Sequence, residues 1–209
     1  MNENIQKRNE LLAQKVIEGL KSRNMMGYYA ASKEDALKKA LEIIPEGSTI
    51  TMGGGKSVEE IGLVDAVKSG NYTFIDRNAA SDRRAAMLAA YDADVYLASV
   101  NAMTDDGILV NIDGNSNRVS AIAFGPKKVV FIVGMNKVCG DLDHAMKRAR
   151  NVAAPINAQR FGLSTPCAKT GSCFDCKSPD TICCQFLTTR YSKHEGRIHV
   201  ILVNDDLGF

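Results

Sequence analysis

Apolar positions Ile5, Leu12, Val16 and Leu20 recur at near-helical spacing across residues 3–23, with Gly27 just beyond. That spacing predicts an amphipathic N-terminal helix. "YYAA" (28–31) reads as a short strand. Ser32, with Asp35 at the reciprocal position, then caps a second helix that stops before Pro45. "TITM" (49–52) reads as the next strand and "GGGKS" as the turn after it, leading into a helix over 58–68. Ser57 and Glu60 give that helix a capping-box pattern. "YTFI" is a strand, 81–91 an Ala-rich helix and "DVYLAS" (94–99) a strand. "ILVNI" (108–112) suits a short strand in a hairpin, 117–124 a short helix, and "KVVFIVG" (128–134) a nearly all-apolar strand. Asp141 to Ala153 reads as a helix, and "RIHVILV" (197–203) as the final strand.

Strands apolar on both faces, alternating with helices, indicate an α/β fold with a parallel sheet covered on both sides. After Pro155 the pattern breaks into a Cys-rich stretch and resumes at "QFLTT", so the stretch reads as an insertion before the last strand. No internal repeat or low-complexity tract is visible. Residues 1–209 are expected to form one domain, with the helix at 1–26 and the Cys-rich loop at 165–185 as appendages.

The charge balance, 26 basic against 24 acidic residues, gives no electrostatic footprint for nucleic acid. No apolar run reaches the length of a membrane span. The opening "MNENIQKRNE" has no apolar core of a secretory signal, so a cytoplasmic chain is expected. Disulfides seldom persist there, which makes five cysteines between 167 and 184 a question of metal or redox chemistry.

Three stretches carry candidate chemistry. In "TMGGGKS" (51–57), Gly53, Gly54 and Gly55 allow positive φ and close backbone approach. A helix start following them, with Lys56 and Ser57, would make an anion cradle at the carboxyl end of a strand. A tight turn with a solvated lysine explains the same residues. It is not a Walker A loop, because Ile50 stands where that motif needs glycine, and no other nucleotide-cofactor motif is recognised.

"NAMTDDGILVNIDGNSNR" (101–118) follows another strand and crowds polar side chains at the same sheet edge. Asp106-Gly107 and Asp113-Gly114 are turn signals. Turn chemistry does not explain Asn111 inside an apolar run, or Arg118. Asn101, Asn111, Asp113 and Asn117 are therefore candidate ligand contacts. Asp106 is a candidate general acid or base, and Arg118 a carboxylate fork.

The cysteines run Cys167-x5-Cys173-x2-Cys176-x6-Cys183-Cys184. Cys167, Cys173, Cys176 and Cys183 could hold zinc or an iron–sulfur cluster, although the spacing matches neither common ferredoxin pattern. A redox-active dithiol or inert thiols remain open. Cys139 reads as a lone small side chain. His144, His194 and His199 show no metal-like spacing. "PINAQR" (155–160) offers Asn157 and Arg160 to a ligand, or simply a helix start.

The segments "NAMTDDGILVNIDGNSNRVSAIAFGPKKVVFIVGMNKV", "APINAQR", "PCAKTGSCFDCKSPDTIC" and "RIHVILVNDDLGF" resemble the lactate-utilisation (LUD) domain family over about residues 5–209. The likeness is to a stand-alone, Cys-containing branch without separate ferredoxin motifs. It implies a Rossmann-like, mostly parallel sheet of the superfamily that holds glucosamine-6-phosphate deaminase, ribose-5-phosphate isomerase and CoA transferases. It also implies a link to lactate oxidation, with iron–sulfur or flavin partner subunits. The resemblance carries over the pocket's location and no catalytic residue. The expectations are an enzyme acting on a small anionic molecule, a metal-bearing accessory of an oxidation complex, or an isomerase or transferase for a phosphorylated or CoA-linked substrate. A homodimer through the first helix is also open.

Overall fold

Side-chain alternation along "KVVFIVG" sets the architecture. Val129, Phe131 and Val133 pack with Val16 and Leu20, whereas Val130 and Ile132 pack with Ala36, Ala40 and Leu63. A strand with both faces covered must sit inside a sheet sandwiched between helices. The computed structural model, which describes residues 2–209, has that form.

Ten strands follow one another among the described residues: β1 (Met26–Ala30), β2 (Thr49–Met52), β3 (Thr73–Ile75), β4 (Val95–Ala98), β5 (Ala102–Thr104), β6 (Leu109–Asp113), β7 (Lys128–Gly134), β8 (Val138–Cys139), β9 (Gln185–Thr189) and β10 (Ile198–Val203). Six form an all-parallel sheet in the order β1-β10-β7-β4-β2-β3. α1 (Glu3–Ser22) covers one face, and α2 (Lys33–Ile43), α3 (Lys56–Glu60) and α4 (Leu63–Ser69) cover the other. Each fully buried Leu, Ile or Val contributes about 1.5–3 kcal/mol to this core. The sequence-derived fold class, a Rossmann-like parallel sheet with an N-terminal helix, is the fold observed.

Three local expectations change. Residues 58–68 form two helices, α3 and α4, because Gly62 turns the chain at φ +75°. The Ser57/Glu60 capping box does not form: α3 has no side-chain cap, Ser57 is fully buried, and Glu60 accepts the Gly208 N–H at 2.8 Å. "QFLTT" does not extend the main sheet. It is β9 of a smaller sheet, ordered β8-β5-β6-β9, that stands beyond the main one.

The helix expected to end at Ala153 also continues. α7 (Leu142–Arg148) passes through a π-helical segment (Ala149–Ala153) into α8 (Ala154–Arg160). Pro155 supplies no N–H and its ring crowds the preceding turn, so the helix widens there and carries on. α5 (Arg83–Ala89), α6 (Asn117–Ala123) and α9 (Pro166–Thr170) complete the helices.

Candidate functional site

Strand order locates the site. From β2 the chain moves outward to β3, then returns to the opposite side of β2 as β4. Loops leaving β2 and β4 therefore diverge, and open α/β sheets bind ligands in such a crevice. A cavity of about 410 Å³ lies there. Gly54 and Lys56 reach it after β2, Arg77 after β3, Ser99 after β4, Lys137 after β7 and Phe209 after β10.

The triple glycine works through space and not through backbone sign, since none of the three has positive φ. A Cβ on Gly53 would stand 2.6 Å from the Tyr96 hydroxyl and 3.0 Å from Arg118 Cγ, so close packing requires glycine there. Gly54 and Gly55 line the cavity, and Gly53 lies buried behind it. α3 is a single turn of five residues. So short a run sums few peptide dipoles, and cationic side chains supply the field. Lys56 lines the cavity but is exposed and paired with Glu59 at 3.2 Å. Ser57 faces inward, where its hydroxyl accepts from Lys137 Nζ at 2.9 Å.

The 101–118 segment divides. Asn101, Asp113, Asn117 and Arg118 line the cavity. Asp113 Oδ2 accepts the Arg118 and Val119 amide N–H groups at 2.9 and 3.1 Å, capping α6 from the end of β6. The Arg118 guanidinium donates to Asn101 Oδ1 at 3.1 Å and to the carbonyls of Ser99 and Ile112. Among the described residues no carboxylate side chain forms an ion pair with it, so its charge is left for a ligand. Burial lowers its pKa, with Asp113 opposing. Burial likewise pushes the Tyr96 phenol up to about 12.

Two residues of that segment stand elsewhere. Asn111 is fully buried in β6, donating to the Ser99 carbonyl at 3.0 Å, and does not line the cavity. Asp106 lies in the β5–β6 turn against α1. It binds the Arg23 guanidinium and the Thr104 hydroxyl, and Lys15 holds neighbouring Asp105 at 2.6 Å. A Cβ on Gly19 would come within 2.4 Å of the Asp106 backbone, so helix and turn are in direct contact. Asp106 therefore serves a helix-to-hairpin clamp. It is not placed for acid–base work in the cavity.

Lys137 was not among the sequence candidates. It is buried, lines the cavity, and donates from Nζ to Ser57 Oγ at 2.9 Å and Ser99 Oγ at 3.0 Å. Loss of hydration lowers its pKa to about 7, helped by Arg148 and opposed by Glu60. Arg77, Arg83 and Arg160 join it on the wall, as does Asn157. The signal was positional: Lys137 and Arg77 each follow the carboxyl end of a parallel strand. The continued helix through Pro155 is what delivers Asn157 and Arg160.

The cysteines gather at a second, smaller cavity of about 60 Å³, lined by Cys167, Cys173, Cys176 and Cys183. Arg150 of the π-helical segment reaches Cys173 Sγ at 3.5 Å and Asp175 at 2.5 Å. Burial, with the other thiols adding, pushes the Cys183 thiol up to about 11. All six cysteines are free. Among the described residues no three His, Cys, Asp or Glu side chains stand where they could hold a metal ion. Ala154 and Ile182 form a wall common to both cavities. His144 binds Asp141 at 2.7 Å, and His199 bridges Tyr28 and the Gly196 carbonyl, so neither faces a ligand.

No helix is long and apolar enough to cross a membrane among the described residues. The family model described as LUD domain matches residues 13–203. A crystal structure of a DUF162 family protein from Deinococcus radiodurans matches with a TM-score of 0.50 and 11% identity, covering 95% of this chain and 98% of that one. At that identity the likeness speaks for the fold alone. No curated protein matches.

Proposed function

The chain belongs to the LUD domain family, and from that premise we propose that the cavity binds a small carboxylate of lactate utilisation, a hydroxy or oxo acid. One observation carries this reading. Lys56, Arg77, Arg83, Arg118 and Arg160 line one cavity around Lys137, and Asp113, the acidic side chain beside them, is spent on capping α6. Such a lining is costly to keep without a negative solute, because like charges repel more strongly where water is scarce. Arg118, half-buried, held by neutral oxygens and without a carboxylate ion-pair partner among the described residues, is the natural carboxylate contact. A cavity of about 410 Å³ suits a ligand of a few carbons.

Calorimetry with lactate, pyruvate and inorganic phosphate tests the reading. Binding that weakens with added salt and is lost in Arg118→Gln is expected. Absence of heat for every small acid, at low salt, would overturn it. A phosphorylated or CoA-linked substrate would instead show as preference for phosphate over the carboxylates.

The cysteine cavity supports a second reading, that the loop takes up zinc or an iron–sulfur cluster and the chain serves iron–sulfur or flavin partner subunits. What supports it is the convergence of four thiols, one from α9 and three from the loop after it, on one cavity. Their present orientation is not a ligand set, so loading requires the Cys loop to tighten. Metal content after anaerobic purification, in the natural chain and in Cys173→Ser/Cys176→Ser, decides it. Equal content in both removes this reading, and a visible absorption band separates a cluster from zinc.

A further inference from the structure

We propose that Lys137 is a covalent catalytic residue whose amine condenses with the carbonyl carbon of a small 2-oxo acid held by its carboxylate in the cavity. The inference rests on the anion-binding reading above and names what that site does. Lys137 Nζ is buried and donates to the hydroxyls of Ser57 and Ser99. An uncharged amine has two N–H bonds and one lone pair. Two serine oxygens take both N–H bonds, which leaves the lone pair for a third direction, and Lys137 lines the cavity. No carboxylate forms an ion pair with this nitrogen among the described residues; Glu60 favours the ammonium form only from a distance.

Burial reinforces the geometry by favouring the free amine near neutral pH. Desolvated lysines of this kind are effective nucleophiles toward carbonyl groups. Cationic neighbours help in two ways. Arg148 and Arg118 disfavour the ammonium form. Arg118, on the wall with Lys137, would hold the acid's carboxylate and keep its electrophilic carbon near Nζ.

The step balances without a co-reactant. The Nζ lone pair adds to the carbonyl carbon while the carbonyl π pair moves to oxygen. A proton passes from nitrogen to that oxygen, giving a carbinolamine. A second nitrogen proton leaves with the hydroxyl as one water, and a C=N bond remains. Nothing is oxidised or reduced. Ser57 and Ser99, which contact Nζ directly, are placed to pass the protons.

The test uses the full chain incubated separately with pyruvate, 2-oxobutyrate and 2-oxoglutarate, then reduced with borohydride and mapped by peptide mass spectrometry. A stable adduct on the Lys137 peptide, requiring both acid and reductant and lost in Lys137→Arg, is expected. Should that variant not fold, peptide mapping of the natural chain still decides. Adducts found only on exposed lysines such as Lys56 would overturn the inference. So would calorimetric binding of the acids with no adduct, in which case the anion-binding reading stands and the imine alone falls. Neither binding nor adduct brings down both.

Discussion

Gly208 lies directly against Lys137: a Cβ at 208 would stand 3.3 Å from Lys137 Nζ and 2.9 Å from Ser57 Oγ. Its φ of +56° also belongs to the region that favours glycine. Gly208→Ala is therefore expected to cost about 1–2 kcal/mol from the backbone alone and to displace the lysine. A lower melting temperature together with lost borohydride labelling checks this. Normal labelling would show that the tail does not position the amine.

Lys137 also predicts a pH signature. Its folded pKa, about 7, lies below the ordinary lysine value. Between the two, the unfolded chain binds the extra proton, so stability rises with pH across that window. At pH 7 and below, the buried charge costs a few kcal/mol. Lys137→Met should be most stabilised relative to the natural chain at pH 6, and the difference should shrink towards pH 10. Parallel stability curves, measured by urea unfolding, would contradict the assignment.

Arg118 and Lys56 should differ in what their loss does. Removing a half-buried, charge-assisted contact costs about 1.5–3 kcal/mol, so Arg118→Gln should weaken a small carboxylate roughly ten- to hundredfold. Lys56 is exposed and already paired with Glu59. Lys56→Ala should change affinity by about threefold or less, the scale of a surface ion pair. Titration calorimetry of both variants checks the order.

Asp106→Asn should leave cavity binding untouched and loosen α1. Thr104's hydroxyl and then Arg23 hold the Asp106 carboxyl below the usual range. Its contribution is present above the ordinary carboxylate pKa and fades as acid protonates it. The Asp106 side chain is 54% exposed, so the expected loss is under about 1 kcal/mol. Equal affinity with a slightly lower melting temperature is the predicted outcome.

The cysteines should react unequally. Burial and its thiol neighbours hold Cys183 protonated well above neutrality, whereas adjacent Cys184 is exposed. Iodoacetamide at pH 8 should modify Cys184 first and Cys183 last, since the thiolate is the nucleophile. Peptide mapping over time reads the order.

Much of the fold was legible because apolar alternation is a local signal. "KVVFIVG" reads as a doubly buried strand from its own residues, and Ser32 caps α2 through Asp35 as its spacing suggests. The site was legible only where a side chain's role is set nearby. Arg118 could be singled out within a polar stretch following a strand. Lys137 could not, since its chemistry depends on hydroxyls from α3 and β4's end, met only when the sheet assembles. Ser57 was misassigned for the same reason. Its capping pattern is real in sequence, but a buried lysine competes for the hydroxyl. Asp106 resembles a catalytic carboxylate until α1 is seen lying across its turn.

The order of strands has one more consequence. β10, which comes after every other described strand, lies between β1 and β7, and among the described residues β1 pairs with no other strand. During synthesis the first strand must therefore wait, unpaired, while nearly all remaining elements leave the ribosome. β7 meanwhile presents an apolar open edge, the kind of surface that recruits chaperones or foreign strands. Sheet completion is a late event, and a chain halted before residue 198 is left with both edges bare.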